Sequence, residues 1–241
     1  MFIKSISSNF KQHEATPYYM KIPAIKNLER IDLKRPVTII VGENGTGKST
    51  LIEAIAVNFG LNPEGGSKNF NFQTKNSHAG LHEEIRLGKM GVPGDSFFLR
   101  AEGFYNVATE IERLNESGLG GNLYSSYGGK SLHAQSHGES FLALLKYRFR
   151  GKGLYILDEP ESALSPMRQM SMIVRINDLV KRGAQFIIAT HSPIIMAYPD
   201  ADIIQLNDDG YERIDYRETE HYIVTKAFID KPEKMIETLL E

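Results

Sequence analysis

The stretch from Pro36 to Thr50, PVTIIVGENGTGKST, constrains the fold more than any other part of the chain. A short β-branched apolar run that ends at a glycine reads as a strand buried on both faces, as strands of parallel sheets are. Beyond the glycines, Lys48 to Phe59 reads as a helix with Leu51, Ile52 and Ile55 on one face and Gly60 as its stop. The turn between them, Gly42 to Ser49, fits the spacing GxxxxGK(S/T) in the strand-to-helix context that gives this spacing meaning. In such a turn the backbone N–H groups of Gly42, Glu43, Asn44, Gly45, Thr46 and Gly47 curl around phosphate oxygens. Lys48 reaches the outer phosphates, the Ser49 hydroxyl ligates Mg²⁺, and Thr50 completes the nucleotide-binding set.

A second strand delivers acid to the same kind of place. Leu154-Tyr155-Ile156-Leu157 is apolar and ends in Asp158-Glu159, and ligands of open α/β sheets bind beyond the carboxyl ends of the strands. Asp158 is placed to hold Mg²⁺ and Glu159 to polarise an attacking water, the two acidic roles that phosphoryl transfer requires.

The rest of the chain alternates strands and helices, which implies an α/β fold with a mostly parallel central sheet flanked by helices. Ser96 to Ala101 reads as a strand, and Phe104, Val107, Ala108, Ile111 and Leu114 recur at helical spacing up to a stop at Gly118. Ser117 to Gly138 is dense in Gly and Ser and predicts a surface loop, and Glu139 to Phe149 predicts a helix. Ser165-Pro166 opens a helix through Val180 that Gly183 ends, and Gln185 to Ala189 is the next strand. A hairpin joins Ile203–Leu206 to Tyr211–Tyr216, and two helices that meet near Asp230–Glu233 close the chain. From Gly60 to Ser96 only loops and short elements are legible.

At 241 residues the chain is expected to form one domain over 1–241. With 28 Lys+Arg against 30 Asp+Glu it is no wholly basic nucleic-acid coat. The absence of cysteine excludes a disulfide framework, a thiolate zinc site and a cysteine nucleophile, and fits a reducing cytosol. The most apolar runs, VTIIVG and FLALL, are far too short to span a bilayer, so a soluble, cytoplasmic protein with no intrinsic membrane segment is expected.

The order of the motifs adds what none of them says alone. A phosphate loop, then Ser136-His137-Gly138-Glu139 opening a helix, then Leu157-Asp158-Glu159-Pro160, then a strand ending in Thr190-His191-Ser192, resembles the ATP-binding-cassette (ABC) ATPases over most of the chain. The wording VGENGTGKSTLIEAIA and SHGESFLALL is most similar to small free-standing ATPases of the recombination-repair and chromosome-maintenance (RecF/SMC-like) branch, without its long heptad arms.

The resemblance implies a P-loop NTPase of ABC type with an antiparallel β subdomain and a helical signature lobe, about 75–150, inserted in the nucleotide-binding core. It implies a Mg²⁺-dependent ATPase whose domains pair head to tail in a nucleotide-dependent homodimer, hydrolysis opening the dimer. Ser136, His137, Gly138 and Glu139 would then act in trans on the γ-phosphate and His191 in cis, with Ser162 to Ser165 crossing the dimer axis. Two departures stand out: His137 where the commonest signature has glycine, and Ser165 where the crossing loop usually has an acid. The Mg²⁺-sensing loop residue is Glu102, just after the SFFLRA strand, or Gln73. A DNA or protein effector would receive the ATP cycle, in DNA repair, maintenance or defence. The same motifs also serve the nucleotide-binding subunit of an ABC transporter, or a regulatory switch for a protein effector.

Three further features have plainer readings. His78 with His82 and His133 with His137 have metal-binding spacing but sit in glycine-rich segments and read as surface histidines. Lys146, Arg148, Arg150 and Lys152 interleave with Tyr147 and Phe149 as a nucleic-acid surface would, and read as a solvated helix end. Tyr18 and Tyr19 have the chemistry to stack on a base and read as packing residues.

Overall fold

A computed structural model describes residues 1–12, 14–67, 80–116 and 127–241. In chain order the elements are β1 (Ile3–Ser8), α1 (Pro23–Lys26), β2 (Arg30–Asp32), β3 (Val37–Val41), α2 (Lys48–Phe59), β4 (Ile85–Lys89), β5 (Asp95–Arg100) and α3 (Phe104–Glu116). Then come α4 (His137–Ala143), β6 (Gly153–Asp158), α5 (Pro166–Lys181), β7 (Gln185–Ala189), α6 (Pro193–Met196), β8 (Asp202–Asn207), β9 (Gly210–Arg213), α7 (Glu220–Asp230) and α8 (Pro232–Leu240).

Among the described residues the strands form two sheets. The central sheet runs β5-β6-β7-β3-β8-β9, parallel except for β9, and the smaller runs β2-β1-β4, antiparallel throughout. Strand alternation splits the core into two layers. Val37, Ile39, Val41, Tyr155, Leu157, Phe186 and Ile188 face one way, toward Val107, Ile111, Phe141, Met172 and Ile176 of α3, α4 and α5. Ile40, Ile156 and Ile187 face the other way, toward Leu51, Ile52 and Ile55 of α2 and Ile3, Ile6 and Ile85 of the small sheet. Gln185 joins the two sheets: fully buried at the start of β7, its side chain accepts from the N–H groups of Phe2 and Ile3 and donates to the carbonyl of Ile3.

Helix α2 starts at Lys48 and stops at Gly60, whose φ of 94° is the left-handed conformation that a C-terminal glycine supplies. Elsewhere the bounds move for identifiable reasons. The helix expected over 139–149 begins at His137, and its last turn, Leu144–Arg148, is a π-turn closed by Phe149 N–H on the Leu144 carbonyl at 3.2 Å. Arg175 of α5 donates to the carbonyls of Leu145, Lys146 and Phe149 and so satisfies this widened end, while Phe149 stacks on Tyr155 with centroids 4.0 Å apart. The hairpin's second strand ends at Arg213 and not at Tyr216, because Asp215 accepts from the Arg217 N–H and turns the chain into a 3₁₀ segment. Within 75–150, where the helical lobe was expected, β4 and β5 pair into the two sheets, and among the described residues helical segments occupy 80–83, 104–116 and 137–148.

Candidate functional site

Register brings the site together. Ile40 of β3 pairs with Ala189 of β7, and Ala189 pairs with Asp158 of β6, which in turn pairs with Arg100 of β5. The chain leaves these adjacent parallel strands at the same edge, so the loops at Gly42, Glu159, His191 and Glu102 must lie side by side.

The loop after β3 is shaped by its glycines. Gly42, Gly45 and Gly47 have φ of 147°, 85° and 96°, which L side chains rarely adopt, and a Cβ on Gly42 would stand 2.7 Å from the Leu206 carbonyl oxygen. No side chain caps α2, so the N–H groups of its first turn face the loop without an internal acceptor. Lys48 is buried beneath the loop, its Nζ donating to the carbonyls of Gly42 and Glu43 at 2.8 Å each. Burial pushes its pKa down, against the pull of Glu159, Asp158 and Glu161.

Asp158 is 5% exposed and accepts from the Ser49 hydroxyl at 3.2 Å. Burial raises its pKa from 3.8 to about 6, although the Arg100 guanidinium lies 3.7 Å away. Arg100 is shared with Glu53 at 2.8 Å. Ser49, Arg100, Ala101, Glu102, Asp158 and Glu159 line one cleft of about 30 Å³. The hydroxyl, the carboxylates and the strongly disfavoured negative charge make a donor set that fits a small divalent cation, as Mg²⁺ requires. Glu102 therefore stands at the cation cleft, whereas Gln73 lies outside the described residues.

Glu159 adopts the left-handed conformation, φ 50° and ψ 51°, a cost that residues at functional sites tolerate when their surroundings hold them. Its carboxylate lies 3.6 Å from His191 Nε2. Burial and the Lys48 ammonium push the His191 pKa down, against the pull of Glu159, which favours the neutral ring in this contact. Among the described residues Nε2 is buried without a hydrogen-bond partner, while Nδ1 lies 2.8 Å from Nε2 of His221 on α7. Glu161 accepts from the His191 backbone N–H at 2.6 Å and fixes the loop.

Ser136 caps α4, with Glu139 reaching back to accept from its N–H and its hydroxyl. Those bonds hold the Glu139 carboxyl below its usual range. A Cβ on Gly138 would meet the Arg168 guanidinium and lie 2.8 Å from the Ala163 carbonyl, so the signature turn sits directly on the crossing loop. Neither Ser136 nor Glu139 lines the cavities beside the phosphate loop, of about 400 and 440 Å³, which instead involve Glu43, Asn44, Thr46 and the α7 residues Glu220 and His221.

Sequence reasoning missed Arg100, Arg168 and His221. Arg100 ends a strand whose next polar residue was already a candidate, which is a usable signal; His221 carries none, being 30 residues from its partner. The basic cluster dissolves in part, because Arg148 binds Asp95 at 2.5 Å with both side chains mostly buried. Tyr19 is buried and Tyr18 exposed, edge to face. His133 lies 3.0 Å from Thr109 Oγ1 and 3.8 Å from Glu112, and His82 is 4.0 Å from Glu83. His78 lies outside the described residues. Among the described residues no three His, Cys, Asp or Glu side chains cluster as a metal site by themselves, and no helix is long and apolar enough to cross a membrane.

Residues 8–123 match the family model of an AAA domain, and residues 108–197 match a second AAA-domain model that carries the name of the AbiEii toxin, Type IV TA system. The chain is 28% identical over 214 residues to a xylose import ATP-binding protein of Thermoanaerobacter pseudethanolicus, covering 79% of this chain and 41% of that one. It is 27% identical over 187 residues to an energy-coupling factor transporter ATP-binding protein of Fusobacterium nucleatum, covering 72% of this chain and 70% of that one. A solved ATP-binding cassette of an ABC transporter superposes with a TM-score of 0.51 at 17% identity, over 95% of this chain and 98% of the other, which is a likeness of fold. The chain thus matches AAA-domain models over two successive stretches and is similar to ATP-binding proteins of ABC type, and its likeness to the solved cassette is one of fold.

Proposed function

We propose that this chain binds ATP with Mg²⁺ and hydrolyses it, and that two copies pair head to tail so that each signature turn completes the other's site. The observation that carries this reading is the convergence at one sheet edge of Lys48, Ser49, Asp158, Glu159 and His191, held by strand register. Backbone N–H groups of residues 42–47 and Lys48 bind the phosphates, and Ser49 and Asp158 hold the cation, with Glu102 beside them. Mg²⁺ supplies charge neutralisation at the phosphates. Glu159 orients the attacking water and accepts its proton, and His191 contacts the γ-phosphate. Ser136, His137, Gly138 and Glu139 reach the partner's γ-phosphate, which is consistent with Ser136 and Glu139 not lining the cavities beside their own loop.

The test is the solution mass of Glu159→Gln with Mg-ATP, with Mg-ADP and without nucleotide. An ATP-specific dimer that Ser136→Arg abolishes is the expected result. A monomer in every condition, with ATP still bound, refutes the composite site; absence of hydrolysis, with Lys48→Ala leaving nucleotide binding unchanged, refutes the ATPase.

The names of the relatives favour a second reading, a nucleotide-binding subunit of a transporter. Co-purification of the native chain with a membrane protein decides for it. A tightly bound soluble partner with slow turnover unaffected by DNA decides for a regulatory switch.

A further inference from the structure

We propose that His221 is a positioning residue that holds His191 in its Nε2–H tautomer, so that His191 presents a neutral hydrogen-bond donor to the γ-phosphate. The inference rests on reading the strand-end site as an ATP site. It concerns a residue outside the motifs that define that site, contributed by α7.

The two rings meet through one nitrogen each, His191 Nδ1 and His221 Nε2, 2.8 Å apart, with centroids 4.9 Å apart. Burial and the Lys48 ammonium push both imidazoles toward neutrality. Two neutral rings share one hydrogen across that contact, and only two arrangements exist.

If His191 Nδ1 donated, its Nε2 would carry a bare lone pair. That atom is buried, has no hydrogen-bond partner among the described residues and lies 3.6 Å from the Glu159 carboxylate, so acceptor would face acceptor, and anionic phosphate would be repelled as well. If His221 Nε2–H donates, the hydrogen of His191 moves to Nε2 and points at the carboxylate. The second arrangement alone is attractive. It leaves the lone pair of His221 on Nδ1, at the second residue of α7, where the positive end of the helix suits it. A second group that fixes which nitrogen carries the proton is how histidines are held to one role.

The contact also ties α7 to the site. None of the residues of α7 is buried, while Glu220 and His221 line both cavities beside the phosphate loop with Glu43. His221 is thus the point at which α7 grips the catalytic edge, anchored from behind by the fully buried Thr219.

The experiment compares the full chain with His221→Phe and His221→Gln in steady-state hydrolysis of Mg-ATP. Phenylalanine keeps the ring and loses the donor; glutamine keeps an amide donor in reach. The expected result is a kcat lowered about tenfold or more by Phe with KM changed less than about twofold, and kcat largely restored by Gln. In parallel, ¹⁵N-histidine NMR reads the His191 tautomer directly, with Nε2–H expected in the native chain and a mixture in the Phe variant. A Phe variant with native kcat, a Gln variant no better than Phe, or a native His191 protonated on Nδ1 overturns the proposal. The NMR measurement needs no ATP, so a chain without ATPase activity refutes the functional reading while the tautomer is still decided.

Discussion

Replacing Asp158 with Asn should make the nucleotide-free chain more stable while disabling its proposed cation site. The carboxylate is 5% exposed, and the Arg100 guanidinium near it is shared with Glu53. Burial raises its pKa from 3.8 to about 6, and at about 1.36 kcal/mol per unit the charged form costs the fold about 3 kcal/mol. The sign follows from proton counting. Between pH 4 and 6 the folded chain holds a proton on Asp158 that the unfolded chain has released, so unfolding free energy falls as pH rises through this window and is flat above it. Asn mimics the protonated acid and has no such slope. Urea unfolding in EDTA from pH 4 to 8 should therefore show an Asn variant about equal to the native chain near pH 4 and about 3 kcal/mol more stable at pH 7 and above. Added Mg-ATP should stabilise the native chain by mass action and leave the variant nearly unmoved. An Asn variant less stable than the native chain at pH 7.5 in EDTA, or a difference that does not change with pH, refutes the reasoning.

Two further substitutions test parts of the fold that serve the site. Alanine normally stabilises a helix by about 1 kcal/mol over glycine, but at Gly138 its Cβ would press on the Ala163 carbonyl at 2.8 Å and on Arg168, so Gly138→Ala should cost about 1–3 kcal/mol in thermal unfolding and weaken the ATP-dependent dimer. Arg148→Ala leaves the mostly buried Asp95 with the Tyr155 hydroxyl but without its guanidinium and should cost about 3–5 kcal/mol, whereas Lys146→Ala, which loses a contact over the Tyr147 ring, should cost under about 1 kcal/mol; equal costs by denaturant titration would restore the reading of this cluster as a solvated surface.

What the sequence made legible was local. β3, the glycine loop and α2 follow from a β-branched run, a fixed glycine spacing and a helical period, all within 25 residues, and Gly60 ends α2 where its left-handed φ is needed. The small sheet was implied only through the family resemblance, for a physical reason. Ser5 lies buried against Gly88, so β1 shows little apolar alternation, and β2 has three residues. Their stability comes from pairing residues such as Ile3 with Lys89, and no short window carries that information. Gln185 is the sharper example: a polar residue opening an apolar strand looks like a boundary, yet it is fully buried and hydrogen-bonds the backbone of β1. His221 is invisible for the same reason, since its partner is chosen by the path of α7 and not by spacing.

The site residues also break local rules together, and the pattern of the breakage has chemical content. Lys48 and Asp158 are charged groups that burial disfavours, Glu159 occupies a backbone conformation costly for a non-glycine, and among the described residues no side chain caps α2 and His191 Nε2 has no hydrogen-bond partner. Scattered through a protein, such features would only lower stability. Here they stand at the ends of neighbouring strands, with donors and a cation on the β3 side and carboxylates on the β6 side. A ligand with several negative oxygens satisfies the first group and a divalent cation the second, and the two must bind side by side because the strands do. The costs of the individual residues thus argue for one composite ligand, a polyphosphate with its metal, more strongly than any of the motifs read alone.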